Sequence, residues 1–108
     1  MTIEDVNTVD FSGIDRSSNE FILAISDHLP WDDDRRYDLL EQKITSYLSY
    51  LSSGQFLETH PEASGMKVRI DLICQYQPPA EHLDILDAVK GQLGEMDINF
   101  SQIVLPPA

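Results

Sequence analysis

The sequence is poor in cysteine, in basic residues and in long apolar stretches, and each shortage narrows what the protein can be. Cys74 is the only cysteine among 108 residues, so the chain forms no internal disulfide and no cysteine-based metal cluster. Seven basic residues stand against 19 acidic ones, which leaves a formal net charge of -12. Because such a charge repels phosphates and anionic headgroups, we expect neither nucleic acid nor a membrane as a partner.

Apolar stretches are short throughout the chain. None approaches the ~20 residues of a membrane span, and the N-terminus lacks the basic and apolar regions of a signal peptide. Together with the single cysteine, this predicts a cytoplasmic protein. The length suffices for one hydrophobic core but not for two. We therefore predict a single α+β domain over residues 1–108, with loose ends at residues 1–7 and 106–108.

Patterns of apolar residues predict six elements in the order ββαβαβ. The first two strands flank a short polar loop, 16–19, which is typical of a hairpin. Apolar residues at steps of three and four mark the first helix, which ends before Gly54, and a pair of prolines opens the second. The predicted strands cover residues 9–15, 20–27, 66–76 and 98–105; the first helix covers 34–52, a loop covers 55–65, and the second helix faces inward with Leu83, Leu86, Val89, Leu93 and Met96.

The predicted fold is a two-layer sandwich, in which a four-stranded mixed sheet carries two helices on one face. Each strand–helix–strand passage returns the chain in its original direction, so strands two, three and four run parallel and the first runs antiparallel. The order of the strands in the sheet stays open. The common core is predicted to contain Phe21, Leu23, Ile25, Leu40, Ile44, Leu48, Leu51, Val68, Ile70 and Leu72.

Polar and aromatic residues gather where strands two and three end and the two helices begin. Parallel sheets bind ligands at this carboxyl rim, so it is the first candidate site. Carboxylates and imidazoles can bind a metal or move protons, but consecutive helical aspartates point about 100° apart and no metal-binding spacing is present. We therefore predict no metal and no cofactor, and helix capping by the aspartates. The rim residues are Asp27, His28, Trp31, Asp32, Asp33, Asp34, Gln77, Glu81 and His82.

Three of the rim residues have both a functional and a structural interpretation. His28 and His82 are candidates for a general base, although a histidine near a helix start is commonly satisfied by local hydrogen bonds. Trp31 is either a binding platform or an aromatic that fastens the chain to the core before the helix. Cys74 falls on the inward side of its strand, where a thiol is protonated and unreactive. His60 lies in the loop at the opposite end, too far away to join the rim.

The sheet face opposite the helices is the second candidate site. It mixes isoleucine with charged residues, which is typical of a protein interface and equally of a solvated sheet face. Two-fold self-association would bury the isoleucines and allow Lys67 or Arg69 to meet Asp71 across the axis. The candidate interface contains Ile14, Ile22, Ala24, Lys67, Arg69, Asp71 and Ile73, with Gln75 and Ile103 beside them.

The segment from Phe21 to Asp33, which contains Ser26-Asp27-His28-Leu29-x-Trp31, resembles a family of small bacterial proteins of unknown function. The likeness continues through the first helix to Gln55 and, more weakly, through Pro61 to the proline pair before the second helix. This resemblance implies a bacterial origin and a shared fold. It transfers no catalytic residue, because no activity is established for the family.

The sequence favours a small acidic interaction protein that forms a homodimer or binds a basic bacterial protein such as a toxin. The common nucleophile and phosphate-binding motifs are missing, so we assign no catalytic residue. The alternative is a hydrolase or metal-assisted enzyme that uses the rim from Asp27 to Asp34. One pocket shared by Asp27, His28, His82 and a neighbouring aspartate would favour the enzyme, whereas a contiguous exposed patch would favour the interaction protein.

Overall fold

The computed structural model describes residues 2–105, which form four strands and three helices in an α+β arrangement. The predicted order ββαβαβ is confirmed, with one short helix in addition. Within residues 2–105, no helix has the length and apolar character needed to cross a membrane. The strands are β1 (Phe11–Asp15), β2 (Glu20–Asp27), β3 (Lys67–Cys74) and β4 (Ile98–Val104), and the helices are α1 (Arg36–Ser52), α2 (Phe56–Thr59) and α3 (Ala80–Glu95).

The sheet has the strand order β1-β2-β3-β4. As predicted, β1 is antiparallel to β2, and β2, β3 and β4 run parallel. The two crossovers through α1 and α3 step across the sheet in the same direction. Because such crossovers are right-handed, both helices lie on one face of the sheet.

The core lies between this face and the two long helices. The inward residues of the central strands, Leu23 and Ile70 among them, are completely buried, and Leu40 of α1 and Leu93 of α3 pack onto them. Each member of the core predicted from the sequence is either buried or packed against this cluster. The full set is Phe21, Leu23, Ile25, Leu40, Ile70 and Leu72, which are buried, and Ile44, Leu48, Leu51 and Val68, which are partly buried.

Two of the residues predicted to face inward from α3 remain exposed. Leu83 keeps 40% of its surface accessible and Met96 keeps 51%, so the prediction for these two is wrong. The buried stripe of α3 is narrow and follows Leu86 and Leu93. Met96 leaves this stripe because it caps the helix with a non-helical backbone, after the last residue of α3.

The first helix begins at Arg36, two residues later than predicted, and the aspartates before it do not cap it. Arg35 occupies the N-cap position without a side-chain capping bond. Asp33 instead accepts the backbone N–H of Arg35 at 2.9 Å and pairs with the guanidinium of Arg35 at 3.0 Å. A short aspartate side chain readily bonds to nearby backbone in this way. The bond between Asp33 and Arg35 thus takes the place of a capping bond to α1.

The predicted loop over 55–65 contains α2 and a 3-10 turn at Pro61–Ala63. Phe56 explains why this segment is ordered, since its ring packs 5.2 Å from the ring of Phe21 between centroids. The loop prediction failed because the helical segment is only four residues long. Gly54 does end α1, with a positive φ of 75° that favours glycine.

The segment at residues 2–7, predicted to be loose, packs onto the domain. Ile3 is completely buried, and its backbone N–H donates to the carbonyl of Ser26 at 2.9 Å. Two apolar residues, Ile3 and Val6, in a short polar segment are too few to give a periodic signal, so the sequence did not predict this contact. Residues 106–108, the other predicted loose end, lie outside the described residues.

A buried lysine in the middle of α1 holds the chain that leads into β1. Lys43 Nζ donates to the carbonyls of Asp5 and Thr8, both at 2.6 Å, and pairs with Asp10 Oδ1 at 2.7 Å. These three acceptors satisfy the three donors of an ammonium group, which is necessary because an unpaired buried charge is very costly. Tyr47, one turn later, accepts the backbone N–H of Asp10 at 3.0 Å.

We predict that Ile70→Ala lowers the free energy of unfolding by about 2–5 kcal/mol, because it leaves a cavity under the helices. Urea unfolding followed by circular dichroism measures the change. Leu83→Ala is the control, and we expect it to cost less than about 0.5 kcal/mol because Leu83 is exposed. Equal losses for the two variants would contradict the assignment of the core.

Candidate functional site

A buried ion pair closes the carboxyl end of β2. Arg36 Nη1 donates to Asp27 Oδ2 at 2.5 Å, and Nη2 donates to Asp27 Oδ1 at 3.2 Å. Arg36 also donates to the carbonyls of Leu29 and Pro30, while Asp27 Oδ1 accepts the backbone N–H of Leu29 at 3.1 Å. Both charged side chains are almost fully buried. The carboxylate of Asp27 is therefore occupied by structural partners.

Aromatic rings continue from this ion pair to the start of α3. The guanidinium of Arg36 lies 3.5 Å from the ring centroid of Trp31, whose Nε1 donates to the carbonyl of Tyr76 at 2.8 Å. Trp31 also packs 5.3 Å from the ring of His82, between ring centroids. His82 Nδ1 lies 2.6 Å from the hydroxyl oxygen of Tyr37 on α1, and burial raises the pKa of Tyr37.

We call this set of side chains the rim cluster; its members are Asp27, Trp31, Arg36, Tyr37 and His82. It joins the end of β2 to the first turns of α1 and α3. Trp31 is buried within it and packs into the core, which favours the structural interpretation of Trp31 over a binding platform. A tryptophan in contact with both a guanidinium and an imidazole is a structural element here.

The remaining predicted rim residues turn away from this cluster. His28 Nε2 lies 2.8 Å from Glu4 Oε1, and its Nδ1 is buried without a partner among residues 2–105. Asp33 pairs with Arg35. Within the described part of the chain, no group of three or more His, Cys, Asp or Glu is placed to hold a metal ion. Among the predicted rim residues, Asp32, Asp34, Gln77 and Glu81 are exposed to solvent.

Cys74 and His60 have structural surroundings. Burial raises the pKa of the Cys74 thiol to about 12, which agrees with the predicted protonated, inward-facing residue. His60 Nε2 lies 3.0 Å from the hydroxyl of Ser12, and its ring packs 5.2 Å from that of Phe21. His60 thus contacts the side of the sheet near the hairpin and takes no part in the rim cluster.

The sheet face opposite the helices carries a network of ion pairs within the chain. Arg69 Nε donates to Asp71 at 2.8 Å, and Nη1 donates to Glu20 at 2.9 Å and to Asp15 at 3.3 Å. Arg69 and Asp71, which the sequence analysis allowed to meet across a two-fold axis, pair with each other within one strand. Hydrogen bonds from Asn99 and Ser18 lower the pKa of Glu20 and so favour the ionised form of this carboxylate.

The isoleucines of this face form a smaller apolar surface than predicted. Ile14 lies opposite Phe21 in the β1–β2 register and packs against the core, because opposed residues of antiparallel strands share a face. Ile22 and Ile73 are half-buried on the outer face, and Ala24 is buried there. The other predicted residues are Lys67, which pairs with Asp97 at 3.2 Å, and the exposed Gln75 and Ile103.

A groove between α1 and α3 was not predicted from the sequence. Its volume is about 500 Å³, and most of its lining side chains are apolar. Ile85 and Met96 at its edge keep 43% and 51% of their surface exposed. The sequence did contain one signal for this groove: the apolar residues of α3 cover a wider arc of the helix than a single buried stripe requires. The lining residues are Tyr37, Leu40, Glu41, Ile44, Thr45, Leu48, Ile85, Val89, Gln92, Leu93 and Met96.

The surface around this groove is acidic. Both basic residues of α1, Arg36 and Lys43, are buried in ion pairs, so the outward charges of α1 are Asp38 and Glu41. No basic residue lines the groove within residues 2–105. The one basic residue of α3 is Lys90, which lines clefts on the side of α3 that faces β4. A second groove of about 580 Å³ lies beside α1 at residues 6–7, and its lining is mainly polar.

These features define a small α+β domain with a closed carboxyl rim and an open groove in its helix layer. The chain belongs to DUF6572, a family of unknown function, whose model matches residues 1–105. This agrees with the resemblance to an uncharacterised family. Comparison with curated proteins and with solved structures gives no match.

We predict that Asp27→Asn lowers the free energy of unfolding by about 3–5 kcal/mol, because it leaves the buried guanidinium of Arg36 without its counter-ion. Urea unfolding at neutral pH measures the change. Asp32→Asn removes an equal charge from the exposed surface, and we expect it to cost less than about 0.5 kcal/mol. A loss below about 1 kcal/mol for Asp27→Asn would show that the ion pair does not hold the rim together.

Proposed function

We propose that this protein is a small interaction protein that binds a basic amphipathic helix in the groove between α1 and α3. The observation that carries the proposal is an apolar groove within an acidic helix layer. Apolar side chains in the groove would provide the binding energy, and the acidic residues around it would select a basic partner.

The dimensions of the groove suit a helix. It runs along α1 from Tyr37 to Leu48 and along α3 from Ile85 to Met96, which is roughly 16 Å on each helix. A bound helix of similar length would present apolar residues at steps of three and four to this lining. The central positions, Ile44 and Val89, are only partly buried without a partner.

Burial of the exposed apolar residues would favour binding of a partner. Ile85 and Met96 are both more than two-fifths exposed at the edge of the groove. Burying apolar surface contributes about 25 cal/mol for each Å² removed from water. Leucine or isoleucine side chains on one face of a partner helix would cover these residues and fill the cavity.

Charge narrows the class of partner. Glu41 lines the groove on α1, and the exposed Asp38 lies on the same helix toward the second groove. The helix α3 adds Glu81, Asp84 and Glu95 to the helix layer. Lysine and arginine on the polar face of a bound helix would meet these carboxylates, and the field of a chain with a net charge of -12 would speed the encounter. A basic bacterial protein, such as a toxin met in the cytoplasm, has this chemistry.

The alternative function, a hydrolase or metal-assisted enzyme at the Asp27–Asp34 rim, has less support. Asp27 is bonded to Arg36, while His28 and Asp33 bond to Glu4 and Arg35 outside the rim cluster. A general base needs a lone pair within reach of a substrate, and the Asp27 carboxylate is buried. The groove therefore remains the better candidate.

We predict that a fluorescein-labelled peptide of about four helical turns, with leucine on one face and lysine on the other, binds the wild-type protein. Ile85→Glu should weaken this binding by at least about tenfold, because it places a charge against the apolar face of the peptide. Fluorescence anisotropy at about 0.15 M salt measures the affinity while screening charge effects beyond about 8 Å.

Leu83→Glu is the matched control. Leu83 lies on the same helix with similar exposure but outside the groove, so the substitution changes the charge equally and should alter the affinity by less than about twofold. A scrambled peptide of identical composition should bind weakly, since it has lost its apolar face. Equal binding of the scrambled peptide, or equal losses in the two variants, would refute the groove as the binding site.

A further inference from the structure

The strand β4 forms a free edge of the sheet and carries no charged side chain. It stands last in the strand order, and no other strand within residues 2–105 pairs with its outer side. Its seven residues contain neither proline nor any charged residue. Soluble proteins usually protect such an edge with charge, proline or a covering segment. In a chain with a net charge of -12, an uncharged edge is suited to pairing with another strand.

The direction of the free backbone groups follows from one hydrogen bond. The N–H of Leu105 donates to the carbonyl of Cys74 at 2.9 Å and thus points toward β3. Because successive residues of a strand point these groups to opposite sides, every second residue of β4 points away from β3. The residues with backbone groups at the free edge are Ile98, Phe100, Gln102 and Val104.

We propose that two copies of this chain associate by antiparallel pairing of their β4 edges, so that their sheets become continuous. Pairing over the whole strand centres on Ser101 and sets Ile98 opposite the partner's Val104. It also sets Phe100 opposite the partner's Gln102. These four opposed residues, unlike Ser101, have edge-facing backbone groups, so each pair exchanges N–H and C=O bonds as an antiparallel ladder requires.

Charges beside the edge are complementary under the same symmetry. Two clefts between α3 and β4, of about 300 and 270 Å³, are both lined by Lys90 and Phe100, and the second also by Asp87 and Gln102. Since the two-fold axis sets Gln102 opposite the partner's Phe100, Asp87 faces the partner's Lys90. Lys90 makes no ion pair within residues 2–105. A second copy of the chain would therefore supply an ion-pair partner to each of the two residues.

This self-association extends the proposed function and does not depend on it. The groove is lined by Ile85, Val89 and Met96, whereas Asp87 and Lys90 face β4 on another side of α3. Both surfaces can therefore be occupied at once. The site also differs from the outer sheet face where the sequence placed a homodimer, and where Arg69 and Asp71 pair within the chain.

Light scattering coupled to size-exclusion chromatography tests the proposal at about 100 μM, where a dimer with a dissociation constant of ~10 μM is mostly assembled. We expect a dimer for the wild type. Gln102→Pro removes one N–H from the free edge and none from the β3 side, so it should give a monomer with an unchanged circular dichroism spectrum. Ile73→Lys, on the outer face, should stay dimeric. A monomeric wild type, or a dimer lost in Ile73→Lys but kept in Gln102→Pro, would overturn the proposal.

A charge exchange tests the same interface with variants that leave the strand untouched. Lys90→Asp should shift the mass to that of a monomer, because it sets two carboxylates against each other across the axis. Adding Asp87→Lys to this variant should restore the dimer, with the net charge of the wild type. A dimer that survives Lys90→Asp, or a double variant that stays monomeric while folded, would contradict edge pairing.

Discussion

The ion pair between Asp27 and Arg36 fixes the point at which β2 passes into α1, and the arrangement of the helix layer depends on it. Burying two charges is costly unless every donor and acceptor is satisfied. Here the guanidinium also bonds to two backbone carbonyls of the β2–α1 connection and lies against Trp31. The connection is therefore held to a single path, and the direction in which α1 leaves the sheet is set at its first residue.

The position of the groove follows from how the two long helices are held. At the rim, Trp31 packs on His82 and Tyr37 bonds to it, so the first turns of α1 and α3 are tied together. Further along α1, Lys43 binds the chain before β1. The helix is thus anchored at its start and along one side. Beyond the contact of Tyr37 with His82, the side of α1 that faces α3 forms no comparable polar anchor within residues 2–105, and its groove is lined mainly by aliphatic side chains.

Much of the fold could be predicted because it is encoded in local alternation. The unbroken pattern from Val68 to Leu72 and the helical spacing from Leu40 to Leu51 each determine one element and its buried side. Strand directions follow from the strand–helix–strand connections, whereas strand order is a property of the whole chain. The observed start of α1 differs from the predicted one because the side chain of Asp33 bonds locally to Arg35.

The features that could not be predicted depend on contacts between distant residues. Arginine and lysine are normally exposed, so nothing in the helical pattern marks Arg36 and Lys43 as buried. Their burial depends on carbonyls and carboxylates supplied from other segments. Ile14 was misplaced because the side to which a short edge strand turns depends on its pairing register, which the loop does not reveal. The groove could not be predicted because it is formed jointly by two helices that are distant in the sequence.

The most direct test of helix binding is an NMR titration of ¹⁵N-labelled protein with the leucine–lysine peptide. If the groove is the binding site, the shifted backbone amides should be concentrated at its lining, around Ile44, Leu48, Val89 and Leu93. Amides near Asp32 and along β3 should stay in place. Shifts spread over acidic residues across the whole surface would show attraction by charge alone, and would contradict a specific site between α1 and α3.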